Sequence, residues 1–102
     1  MIARIWRCTV SHEKLSEYLQ HFQQSVYAEA KRLKGFRKVK ILKRNTNNAV
    51  ELTVISFWES LDAIRGFAGD NIETAVVAPT AQAILLTFET TVTHHEVILN
   101  LE

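Results

Sequence analysis

Cysteine is nearly absent from this chain: Cys8 is the only one in 102 residues. No internal disulfide can form, and a reducing cytoplasm is the compartment such a chain suits. Proline is as scarce, and the single Pro79 stands where a helix can begin. No apolar run approaches the roughly 18 residues of a membrane span. The opening residues alternate around Arg4 and Arg7 and lack the apolar core of a signal peptide. Repeats, low-complexity tracts and linkers are also missing, so residues 1–102 read as one domain. The net charge of +1 gives no global reason to expect nucleic acid.

What is present is a globular composition, 47% hydrophobic. Ile2–Val10 reads as a strand, with Ile2, Arg4, Trp6, Cys8 and Val10 sharing a face. Ser11 is a good N-cap for a helix over 12–34. Its apolar stripe is Leu15, Tyr18, Leu19, Phe22, Val26, Ala30 and Leu33, and Gly35 is placed to end it. Residues 36–44 and 49–58 form two more strands across an asparagine-rich turn, 45–48. Ser60 caps a second helix that Gly66, Gly69 and Pro79 break. Asp70 starts a short turn through Val76, and Ala81 to Leu86 resume the helix. A last strand runs from 88 to about 99.

The order is βαββαβ, the ferredoxin-like α+β arrangement, with a four-stranded antiparallel sheet in the spatial order 4-1-3-2. Both helices cover one face. The other carries apolar residues and needs a cover, which a second copy of the same sheet supplies most simply. The expected partner is therefore another copy, in a homodimer through the sheet face.

The element order and the segment Trp58-Glu59-Ser60-Leu61-Asp62-Ala63-Ile64-Arg65-Gly66-Phe67 carry a family resemblance. A tryptophan ends the third strand, a small capping residue follows, and an aromatic lies further along the helix. In this the chain resembles the antibiotic biosynthesis monooxygenase superfamily of dimeric α/β barrels. The ending His94-His95-Glu96-Val97 is similar to a little-characterised branch of that group. The resemblance implies a small-molecule pocket in each subunit and, in its enzymatic form, cofactor-independent oxygenation of an aromatic or quinol-like substrate. The haem-degrading branch uses an Asn, a Trp and a His. Here the Trp position is Phe67, Thr74 to Val77 offers no imidazole, and the first strand has no Asn. No cofactor is expected.

Several residues are candidates for a site. His94 and His95 point to opposite faces of a strand and cannot share one ion, and His94 with Glu96 lacks a third ligand, so no metal site is expected. His94 reads as a general base or hydrogen-bond donor, or as a partly buried imidazole at a cavity edge. Trp6, Trp58, Phe67 and Phe88 line an apolar pocket under the broken helix or simply fill the core. Arg4 holds an anionic oxygen of a bound phenolate or, the preferred reading, forms a surface or interface ion pair with an acidic residue. Eight of the twelve basic residues fall between Lys31 and Arg44. On an edge strand, Lys38, Lys40 and Arg44 discourage stray pairing. Nucleic-acid binding would need exposed aromatics interleaved with that charge. The polar face of the first helix is mixed in charge, which argues against a membrane surface. Cys8 reads as a small buried hydrophobe. The competing functional class is a ligand-binding or structural dimer that keeps the fold without the chemistry.

Overall fold

The computed structural model describes residues 1–102. Its elements are β1 (Ile2–Val10), a helix α1 (12–30), β2 (Phe36–Asn45), β3 (Val50–Trp58), α2 (Leu61–Ala68), α3 (Pro79–Ile84), β4 (Thr87–Phe88) and β5 (Thr93–Glu96). The sheet is antiparallel in the order β2-β3-β1-β4, and β5 extends the same edge of β1. The expected α+β class, ferredoxin-like order and edge position of the basic strand β2 all hold.

β1 and β3 pair along their full lengths, from Ile2 opposite Trp58 to Val10 opposite Val50. Alternation then sends Arg4, Trp6, Cys8 and Val10, with Val50, Leu52, Val54, Ser56 and Trp58, toward the helices. The core forms there in two clusters. Cys8, Val10, Val50, Leu52 and Val54 pack with Tyr18, Phe22, Ala81 and Leu85. Trp58 packs with Ala30 and Ile64.

The Ser11 hydroxyl caps α1 by accepting from the Lys14 amide at 3.2 Å. The helix widens into a π-helical turn over Phe22–Tyr27. It stops at Ala30, short of the expected residue 34. Past that point the turn tightens to three-residue spacing, with Arg32 N donating to Glu29 O and Leu33 N to Ala30 O. Gly35 then reverses the chain at φ +92°.

The last strand is the larger departure from the sequence reading. Cys8 faces Phe88, whereas Arg4 faces His94, so four residues of β1 are spanned by six of the other strand. The two extra residues bulge away from β1 and bond to the segment before α3. Ala75 N donates to Thr90 O, and Val92 N donates to Glu73 O, both at 2.9 Å. Because the insertion is even, Phe88 and His94 still face the helices. Strand structure ends at Glu96 rather than near 99, since β1 has no residue left to pair beyond Met1, whose carbonyl accepts from Val97 N. The turn expected from Asp70 through Val76 closes early, and Thr74 bridges to Thr91. The helix expected through Leu86 ends at Ile84, and the Leu86 amide bonds instead to Thr9 O.

On the uncovered face, Ala3 and Ile5 lie opposite Phe57 and Ile55. Lys38 and Lys40 of β2 border the same two residues, with the Lys38 ammonium 5.1 Å from the Phe57 ring centroid. This face is apolar at its centre and basic along the β2 edge.

Gly35 is where the fold leaves least room. An added Cβ would lie 2.5 Å from the Ala63 Cβ, at a backbone angle that L side chains avoid. Gly35→Ala is expected to destabilise the chain by more than about 2 kcal/mol, combining left-handed strain with overpacking. Urea denaturation checks this, and an unchanged midpoint would contradict it.

Candidate functional site

The broken second helix leaves space over the sheet. Between α2 and α3 the chain crosses as an extended strap, and Val76, Val77 and Ala78 of this strap roof a partly enclosed cavity of about 70 Å³. The floor comes from the strands through Trp6, Val39, Val54 and Trp58. One wall is α1, which contributes Tyr18, Phe22, Val26 and Tyr27, the last three from the widened turn. Aromatic rings run along it in sequence. Tyr27 meets Phe36 at 6.0 Å between centroids, Phe36 meets Trp58 edge-on at 5.2 Å, and Trp58 meets Phe67 at 5.7 Å. The tryptophan N–H groups are satisfied elsewhere: Trp58 donates to Ser56 Oγ at 2.9 Å and Trp6 to the Glu89 carbonyl at 2.6 Å. The rings therefore present mainly apolar surface to the cavity.

The exception is Arg4, only 5% exposed and the one charged residue in the core. Its guanidinium carbon lies 5.9 Å from the Phe67 ring centroid. Nη1 donates to the Ile72 carbonyl at 2.5 Å and Nη2 to the Thr74 carbonyl at 3.1 Å. His94 Nε2 is 2.9 Å from Nη1. The preferred sequence reading, an ion pair with an acidic residue, is corrected here: the partners are two backbone carbonyls and an imidazole. Burial lowers the Arg4 pKa to about 10, which still leaves it charged at neutral pH.

Guanidinium only donates, so His94 Nε2 must be the acceptor and the imidazole proton belongs on Nδ1. His94 is half-buried and lies behind Arg4 rather than in the cavity lining. Its expected place beside Trp6 or Trp58 is thus taken by Arg4. Its pKa is lowered, first by burial and then by Arg4, against an opposing pull from Glu73 and with a lesser lowering from His95. His95 is exposed and bonds Thr93 Oγ1.

Of the expected pocket residues, Arg4, Trp6, Trp58 and Phe67 come together around the cavity. Phe88 is not in the lining: opposite Cys8, it packs against the larger core cluster. Tyr18, Phe22 and Val26 were legible only as a helical stripe, with nothing to separate lining from core. Val76 to Ala78 and Val92 carried no signal at all. The burial of Tyr18 and Cys8 is strong, and it raises the Cys8 pKa to about 12 and that of Tyr18 further. No group of three His, Cys, Asp or Glu side chains is placed to hold a metal ion.

A lowered histidine pKa has a definite sign in stability. Above the ordinary value near 6.5 neither state takes the proton and nothing changes. As pH falls below it, the unfolded state binds the proton first, so His94 draws stability down until its folded pKa is passed. His94→Gln is expected to flatten the fall in melting temperature below about pH 6.5 relative to the unaltered chain. Parallel melting curves for the two proteins across that range would contradict the burial of His94.

The antibiotic biosynthesis monooxygenase family model matches residues 1–71. No curated protein sequence matches the chain. Among solved structures it is similar to a Bacillus cereus protein assigned to antibiotic biosynthesis monooxygenases, at 14% identity and TM-score 0.68 over 99% of this chain and 96% of that one. It is similar to SnoaB, a cofactor-independent oxygenase from Streptomyces nogalater, at 17% identity and TM-score 0.65 over 98% and 96% of the two chains. It is also similar to the haem degrader MhuD from Mycobacterium tuberculosis, solved with two haems in its active site, at 18% identity and TM-score 0.65 over the whole of both chains. At such identities the structural likeness speaks for the fold, and the family model speaks for descent: the chain belongs to the antibiotic biosynthesis monooxygenase family.

Proposed function

We propose that this protein binds a small, largely apolar aromatic molecule in the cavity between sheet and helices and oxygenates it without a cofactor. The observation that supports this is the cavity itself, walled by Trp6, Trp58 and Phe67 and roofed by a strap rather than a continuous helix. The description of SnoaB as a cofactor-independent oxygenase favours the same chemistry. A phenolic substrate gives its proton to water as it enters, a proton the peroxide later takes back, and the phenolate passes one electron to dioxygen. The two radicals combine at a ring carbon, and the resulting hydroperoxide sheds water to leave a quinone. One phenol and one dioxygen thus give one quinone and one water. The protein supplies orientation and a dry site.

His94 enters this scheme through Arg4. Its Nε2 lone pair is already engaged by the guanidinium, so it acts as a positioning residue and not as the base that meets the substrate. Oxygen uptake with a small hydroquinone is expected to exceed autoxidation and to saturate with substrate. His94→Ala lowers this rate, whereas His94→Gln, which keeps an acceptor for Arg4, retains most of it. Equal loss in both variants would restore His94 as the base. Uptake no faster than autoxidation in the unaltered protein would end the oxygenase reading and leave a binding protein.

The same reading includes a homodimer through the open sheet face, centred on Ile5, Ile55 and Phe57. Light scattering is expected to report twice the 11.7 kDa chain mass, and Ile55→Glu to halve it. An unaltered protein that is monomeric at micromolar concentration would remove this interface.

A further inference from the structure

We infer that the cavity's ligand is a single-ring aromatic carboxylate, its two oxygens held by the unused donors of the Arg4 guanidinium. This rests on the cavity being a ligand site and gives the ligand its charge and size. A guanidinium carries five N–H donors. Both hydrogens of Nη1 are committed, to the Ile72 carbonyl and to His94, and one of Nη2 is committed to the Thr74 carbonyl. Nε and the second Nη2 hydrogen remain. They sit on neighbouring nitrogens, a spacing that suits the paired oxygens of a carboxylate. A phenolate alone offers one oxygen and would leave a donor over, so the carboxylate is carried on the ring in addition to the reacting hydroxyl.

The charge balance points the same way. Arg4 is 5% exposed, yet every partner it has is neutral, and the chain's ion pairs, Arg37–Glu59, Arg44–Glu51 and Arg65–Asp62, all lie elsewhere. A cation desolvated to that extent and met only by dipoles attracts an anion far more strongly than a surface arginine does. An entering carboxylate neutralises it without displacing the strap. The ring size follows from the space. A cavity of about 70 Å³ takes one small ring, well below the volume of a drug-sized site. The Phe67 ring beside Arg4, backed by Trp58, gives that ring an aromatic surface to stack on.

The test is a titration of the full chain with benzoate, its neutral isostere benzamide, and phenol, near neutral pH. Binding is read by the fluorescence of Trp6 and Trp58 and by calorimetry. Benzoate is expected to bind about tenfold or more tightly than benzamide, the order set by charge-assisted hydrogen bonds. Arg4→Lys keeps the charge but loses the planar fork, and is expected to weaken benzoate severalfold and benzamide by a smaller factor. Near-ultraviolet dichroism establishes that this variant is folded. If it is not, His94→Gln, which retains Arg4, should still prefer benzoate. Equal affinity for benzoate and benzamide, or tighter binding of phenol, would overturn the carboxylate inference and leave the cavity reading intact. If none of the three binds, the cavity reading fails and the inference fails with it.

Discussion

A charge buried on the central strand constrains everything around it. Arg4 stands on β1 between β3 and β5, facing the helices, where the residue is 5% exposed. Such a group must be met by acceptors or the fold loses several kcal/mol. The acceptors here are carbonyls of Ile72 and Thr74, so the extended segment after α2 is drawn across the sheet to reach them. That segment is not helical: it turns at Ile72 and Glu73, with Thr74 N donating to Asn71 O, and presents two carbonyls to Arg4. Once extended, it pairs through Glu73 and Ala75 with the bulged stretch of the last strand. The bulge, the strap and the position of His94 behind Arg4 form one connected arrangement.

The cavity follows from that arrangement. A continuous second helix would cover the sheet as α1 does, with side chains filling the space between. The strap brings only Val76, Val77 and Ala78 to the roof, and these are too small to reach the floor at Trp6 and Trp58. The aromatic row from Tyr27 to Phe67 braces the cavity by edge and tilted contacts, which resist collapse better than flexible aliphatic chains would. The polar residues of the cavity lining are Arg4 and Ser56, and the Ser56 hydroxyl is engaged by the Trp58 N–H. The opposite sheet face has a separate logic. Ile5, Ile55 and Phe57 give it an apolar centre, and Lys38 and Lys40 line its free β2 edge.

Much of this was legible in the residues. Hydrophobic period separates α1 from the strands, Ser11 and Ser60 mark helix starts and do cap them, and Gly35 marks a reversal. Periodicity of this kind depends on neighbours in sequence, and so it survives without tertiary information. It also placed Arg4 with Trp6 on one strand face and His94 opposite to His95 on another strand, because strand parity is local; that the two faces are the same is seen in the pairing of Arg4 with His94. The unbroken last strand was wrong because the decision belonged to distant partners, and the end of α1 because its last turn tightens locally. Neither the tightened turn after Ala30 nor the bulge after Phe88 has a marker in its own residues.

The sequence by itself determined the α+β class, the element order and the identity of the side chains available to a site. Only the tertiary structure decided what those side chains do. It gave Arg4 carbonyls in place of a carboxylate, turned His94 from the cavity toward the guanidinium, and moved Phe88 away from Trp58 and Phe67. The physical reason is range. Secondary structure answers to contacts a few residues apart, whereas a buried charge is satisfied by whichever acceptors the whole fold brings within about 3 Å, and here they come from nearly seventy or more positions along the chain.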